Sequence, residues 1–64
     1  MPSDNVTIAA QLTDPQAWAL AQFVKRVGWS EFRNNAVDDD EARLIRAAVD
    51  VLMASLREAG YAPR

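Results

Sequence analysis

The strongest constraint on the fold is a long run of helical apolar spacing near the C-terminus. Between Leu44 and Leu56, apolar residues recur every three or four positions, which is the period of one face of an α-helix. Asp38 precedes this run as an N-cap, and Gly60 follows it as a C-cap. The pattern therefore predicts a long amphipathic helix over 39–59 whose apolar face another element must cover.

A second amphipathic helix is predicted over 14–27. Thr13 is followed three residues later by Gln16, which is the spacing of a capping box. Apolar residues then recur at helical spacing up to Val27, and Gly28 follows. Glycine at this place predicts a helix end in the left-handed conformation.

The segment before the first helix has a different period. Val6, Ile8, Ala10 and Leu12 occupy every second position, and a period of two with β-branched residues predicts a short strand. A strand must pair with another edge. Three partners stay open: the C-terminal tail, the same strand of a second copy in a homodimer, or a strand of a target protein.

Together these elements predict an α+β, helix-dominated fold in the order β-α-α-α. One short N-terminal strand precedes two long amphipathic helices, with a short helical turn between them. That turn, over 30–35, is expected to begin at Ser30 and to place Phe32 on the core. Residues 1–5 are expected to be a flexible N-terminus, and residues 6–64 a single small domain.

The size of the chain limits how it can be stabilised. A chain of 64 residues buries only ~60% of its unfolded surface, and it has no Cys for disulfides and no His for transition metals. Dimerisation or partner binding remains as the means of stabilisation. The N-terminus has no signal-peptide pattern, and no apolar run reaches the ~18 residues of a membrane span. We therefore expect a cytoplasmic protein without a membrane partner.

The most distinctive local feature is a run of four consecutive acids, Asp38, Asp39, Asp40 and Glu41, here named the acidic tetrad. A calcium loop needs a central glycine and a distal glutamate, which this stretch lacks. Catalytic carboxylate pairs need two unlike environments, whereas a helix start favours the ionised form of every acid. The sequence thus predicts no enzyme, no cofactor, and no catalytic or metal-binding residue.

Two interpretations of the acidic tetrad remain. It is either only the start of a helix or also an acidic contact surface, to which Glu31 would add. One capping residue and one or two acids suffice for a helix start, so the surplus charge favours contact with a basic groove on a protein partner. The same acids disfavour direct nucleic-acid binding, because a recognition helix would place them beside phosphates. The predicted partner-binding residues are Glu31, Asp38, Asp39, Asp40 and Glu41.

The chain resembles a family of small uncharacterised proteins of proteobacterial phages and mobile elements in three segments: LTDPQAWALAQFVKRVG, NAVDDDEA and EAGYAPR. The resemblance covers residues 6–64. The chain also looks like the anti-CRISPR proteins that inhibit type I systems. This implies a non-enzymatic inhibitor, acting in the bacterial host cytoplasm, that binds a subunit of a Cascade surveillance complex and blocks target DNA binding as a local DNA mimic. The alternative is a small cytosolic dimerisation module or accessory regulator with no CRISPR role.

Overall fold

The computed structural model describes residues 5–63. In this range it contains three helices: α1 (Asp14–Arg26), α2 (Trp29–Asn34) and α3 (Asp39–Glu58). Both α1 and α2 pack against α3. The molecule measures 33 × 33 × 17 Å, and since a helix with its side chains is ~10–12 Å across, the thin dimension holds one layer of helices. The flexible N-terminus was predicted for residues 1–5, of which 1–4 lie outside the described residues.

Helix α1 begins as its sequence predicts. The backbone N–H of Gln16 donates to Thr13 Oγ1 at 3.2 Å, and the backbone N–H of Thr13 donates to Gln16 Oε1 at 2.9 Å. This reciprocal capping box satisfies two N–H groups at the helix start. Pro15 lies in the first turn, where its missing N–H costs no helical hydrogen bond.

The predicted left-handed end of α1 at Gly28 is wrong. Val27 is the C-cap, and its N–H donates to the carbonyl of Phe23 at 3.0 Å. Gly28 has φ −130° and ψ −174°, an extended conformation, and it replaces Ser30 as the N-cap of α2. Its N–H donates to Glu31 Oε1 at 2.6 Å. Because α2 begins at the next residue, the backbone that follows α1 is extended and does not fold back on the last turn of α1.

The predicted left-handed end of α3 at Gly60 is confirmed. Gly60 has φ +100°, and its N–H donates to the carbonyl of Arg57 at 3.0 Å. The N–H of Tyr61 donates to the carbonyl of Leu56 at 2.8 Å. These two bonds are the Schellman pattern, and Tyr61 packs against the core cluster that contains Leu56.

The two glycines form a matched pair for mutation. Gly60→Ala is expected to lower the free energy of unfolding by about 1–2 kcal/mol, because a side chain is strained at positive φ. Gly28→Ala is expected to change it by less than about 0.5 kcal/mol, since the backbone is extended and a Cβ would meet Glu31 Oε1 at 3.6 Å. Urea denaturation of both variants measures the difference, and equal losses would contradict the two cap assignments.

The predicted N-terminal strand is wrong, and with it the α+β class. Residues 5–63 contain helices but no strand or sheet. The segment 6–12 is irregular and exposed, with Ile8 85% exposed. A strand needs a neighbouring edge to accept and donate its hydrogen bonds. Within the described chain the long segments are helical, and the tail at 61–63 forms no strand, so alternation alone did not produce one.

The core is small and lies between the three helices. Phe32 of α2 is buried in it, as predicted. On α3, Leu56 is buried but Leu44 is 70% exposed, although both belong to the same apolar stripe. One layer of neighbouring helices covers one side of a broad stripe and leaves the other side open. The buried apolar residues in the described chain are Ala17, Ala21, Val24, Phe32, Ala42 and Leu56.

Tyr61, which follows α3, contacts the first turns of α1. The hydroxyl of Tyr61 donates to Asp14 Oδ1 at 2.6 Å, and this hydrogen bond is the main cause that raises the pKa of Tyr61 above its usual value of 10.0. The Tyr61 ring also meets Trp18 edge to face, with centroids 5.0 Å apart. These contacts hold α1 and α3 together at one end of the layer.

Candidate protein-interaction site

Asp38 caps α3, as the sequence predicts. Its Oδ1 accepts from the backbone N–H of Glu41 at 2.8 Å, while its own backbone is extended. The carboxylate of Glu41 reaches back, but it accepts from the N–H of Val37 at 2.9 Å and not from Asp38. Two members of the acidic tetrad therefore have structural roles at the helix start.

Asp39 and Asp40 are exposed, and each is paired with an arginine. Asp39 Oδ1 lies 2.6 Å from Nε of Arg33, and Asp40 Oδ1 lies 2.8 Å from Nη1 of Arg43. The side chain of Asp40 is 90% exposed. Asp39 thereby links α3 to α2, since Arg33 belongs to α2 and also donates to the carbonyl of Ala36 at 3.2 Å. Both acids are largely exposed, and the contact between Arg33 and Asp39 has no signal in the sequence.

The two arginines reduce the charge of the acidic surface. Four carboxylates and two guanidinium groups leave a formal charge of −2 at the start of α3. Exposed pairs of this kind contribute at most ~1 kcal/mol to stability. A basic partner can therefore displace Arg33 and Arg43 at small cost, but it meets half the charge that the four acids alone would present.

Glu31 does not join the acidic tetrad. Its Oε1 accepts from the N–H of Gly28 at 2.6 Å, at the start of α2. The structure thus brings together four of the five predicted partner-binding residues, as consecutive residues at one helix end, and places the fifth in a separate cap. The spacing of Gly28 and Glu31 signals this cap, because an acid three residues after the N-cap is the second half of a capping box.

Mutations of different acids at the start of α3 are expected to have different effects on stability. Asp38→Ala should lower the free energy of unfolding by about 0.5–2 kcal/mol, because it removes the side-chain cap. Asp40→Ala should change it by less than about 0.5 kcal/mol, because it removes one exposed ion pair. Thermal melting followed by circular dichroism measures both. A larger loss in the Asp40 variant would mean that the pair with Arg43 holds the helix start.

A second exposed surface was missed by the sequence interpretation. The apolar side chains of Phe23, Leu44 and Leu52 were assigned to the core stripes or their flanks, yet Phe23 is 61% exposed and Leu44 is 70% exposed. Helical spacing indicates which residues share a face, but not how many layers cover that face. The single-layer fold leaves these side chains available for contact.

The described residues show no arrangement suited to metal binding or membrane crossing. Within residues 5–63, no three Asp, Glu, His or Cys side chains lie close enough to hold a metal ion. None of the described helices is both long enough and apolar enough to span a bilayer.

The comparisons with known proteins identify one family. A family model described as "Family of unknown function (DUF7706)" matches residues 1–64. No curated protein and no solved structure matches the chain.

Proposed function

We propose that this chain, which belongs to the DUF7706 family of unknown function, is a non-enzymatic binding protein that inhibits a type I CRISPR surveillance complex. In this proposal the acidic start of α3 occupies a basic surface on a complex subunit, in the cytoplasm of a bacterial host, and blocks target DNA binding. The resemblance to anti-CRISPR and phage proteins supplies the partner class. The contact residues are those of the acidic tetrad.

The observation that carries the proposal is the exposure of Asp39 and Asp40 at a fixed helix end. Asp38 and Glu41 are used by the helix cap, whereas Asp39 and Asp40 project into solvent with 61% and 90% of their side chains exposed. Both lie in the first turn of a capped helix, so their backbone is already ordered and less entropy is lost when a partner binds. A fixed pair of carboxylates is suited to replace two phosphates in a lysine- or arginine-rich groove.

The magnitude of the charge restricts the mechanism to local mimicry. Duplex DNA carries one charge per ~1.7 Å of its axis, while this chain has a net charge of −2 in total. The proposed inhibitor therefore competes for a few basic residues at one contact and does not imitate an extended duplex. Such binding depends on charge complementarity and weakens as salt increases.

The experiment is a competition assay with a purified type I surveillance complex and a fluorescently labelled target duplex. Adding the chain should prevent DNA binding at a defined stoichiometry, and the inhibition should weaken between 0.05 M and 0.5 M salt, concentrations chosen to span roughly a threefold change in screening length. If a large excess of chain leaves DNA binding unchanged at low salt, the proposed partner class is wrong.

A second candidate function is a small dimerisation module or accessory regulator with no CRISPR role. The exposed apolar side chains of α1 and α3 favour it, because monomeric proteins seldom leave large contiguous apolar patches uncovered. The two candidates use different surfaces of the molecule, and the competition assay separates them, because a dimerisation module with no CRISPR role leaves DNA binding to the surveillance complex unchanged.

A further inference from the structure

We propose that the apolar face formed jointly by α1 and α3 is the contact surface of a homodimer, in which a second copy supplies the missing layer of the fold. This proposal does not depend on whether the acidic tetrad binds a surveillance complex. Stable domains are built from two packed layers of secondary structure around one core. This chain is 17 Å thick in its short dimension and provides one layer.

Two neighbouring depressions mark the face. One, of about 370 Å³, brings Leu20 of α1 beside Leu52 of α3, and Ile8, Ala10 and Leu12 of the N-terminal segment also line it. The other, of about 230 Å³, brings Phe23 and Val27 beside Ile45. Leu20, Phe23 and Val27 are spaced by three and four residues, so they project from the same side of α1. The two depressions therefore belong to one surface along the α1–α3 groove.

Charge is segregated to the other side of the layer. Within the described chain, Glu31 is the single charged residue that lines either depression, at its edge. By contrast, the two depressions on the opposite side have charged residues among their apolar lining, namely Lys25, Arg46, Asp50 and Arg57. Depletion of charge at the centre of a patch is the compositional signal of a protein interface, and it disfavours a highly charged partner here.

The spacing along α3 fits a second copy of the same helix. Ile45, Ala48, Leu52 and Ser55 are separated by three, four and three residues, which is the a/d spacing of a helix–helix seam. In an antiparallel pair centred on this seam, Ile45 faces Ser55 of the second copy and Ala48 faces Leu52 of the second copy. Each facing pair in the seam thus combines one large and one small side chain, the arrangement that lets facing helices interdigitate.

The broad side of the molecule is wide enough to hold a contact between two copies. A standard interface uses ~800 Å² per partner, and the broad face of the molecule has edges of 33 and 33 Å. A two-fold dimer brings the same face of both copies together. Four long helices, two from each copy, then form a bundle whose shared core covers the apolar side chains that line the two depressions.

Sedimentation equilibrium over a concentration series tests the dimer. The wild-type chain should sediment at twice its mass of 7.1 kDa. Ala48→Glu should raise the dimer dissociation constant about thirtyfold or more, since it places a charge at the centre of the seam. Ala47→Glu is the matched control, because both alanines are exposed on α3 but Ala47 lies outside the seam. It should change the constant less than about threefold, while both variants keep the helical content of the wild type.

Disulfide cross-linking tests the register, since the chain has no native cysteine. Mixing an Ala48→Cys chain with a Leu52→Cys chain under oxidation should give the mixed cross-link in preference to either symmetric one. Three results would overturn the proposal: a monomer at every concentration, which would leave the face to residues 6–12 or to another protein; equal effects of the two glutamates; or preferential symmetric cross-links, which would exclude the antiparallel seam.

Discussion

Leu56→Ala is expected to lower the free energy of unfolding by about 2–5 kcal/mol. Leu56 is 7% exposed and lies in one cluster with Ala21 and Val24, with Tyr61 packed against it. It is the largest buried side chain that α3 contributes. The truncation leaves a cavity between helices that are fastened by the Tyr61–Asp14 hydrogen bond and so cannot collapse fully.

The loss is large for a chain of this size, whose total stability is roughly 3–10 kcal/mol by the usual amount per residue. Leu44→Ala is the control, because it makes the same change in the same helix at a side chain that is 70% exposed. It should change the free energy by less than about 0.5 kcal/mol. Urea denaturation measures both variants, and similar losses would show that Leu56 is not at the centre of the core.

Ala21→Leu and Ala42→Leu are each expected to destabilise the fold by about 1–3 kcal/mol. Ala21 of α1 is 1% exposed, and Ala42 of α3 is 0% exposed. Both small side chains are fully enclosed, so a larger side chain at either position must displace its neighbours. The cost arises from overpacking and not from helix propensity, which differs little between alanine and leucine.

Ala47→Leu provides the control for this pair of substitutions. Ala47 is an exposed alanine of α3, so the added leucine atoms extend into solvent. Its melting temperature should stay within a few degrees of the wild-type value, while the two core variants melt well below it. If Ala42→Leu melts at the wild-type temperature, the first turn of α3 is packed more loosely than described.

Local signals predicted the helices and most of their caps. Thr13 with Gln16, Asp38, and Gly60 each specify a helix end through contacts within four residues, and such contacts are encoded in short stretches of sequence. Gly28 is the exception, since the same residue type serves as a left-handed C-cap or as an extended N-cap. The start of α2 one residue later decides between them.

Non-local features could not be predicted in the same way. The segment 6–12 has the period of a strand, but pairing depends on an edge that the described chain does not offer. The pair between Arg33 and Asp39 joins two helices and has no sequence signal. The exposure of Leu44 depends on the number of layers in the fold, which helical spacing does not specify. These are the features that shape both candidate surfaces.

The most direct test of the proposed function is a charge reversal at two places on α3, compared in the surveillance-complex assay. Asp39→Lys with Asp40→Lys changes the acidic tetrad, and Asp50→Lys with Glu58→Lys makes the same change elsewhere. Each pair of substitutions raises the net charge by four units, so the net charge of both variants changes from −2 to +2. We expect the first variant to lose inhibition, because attraction to the basic partner becomes repulsion, and the second to inhibit within about threefold of the wild type. Both should keep the helical circular dichroism of the wild type. Equal inhibition by the two folded variants would contradict a role for the acidic tetrad in partner binding.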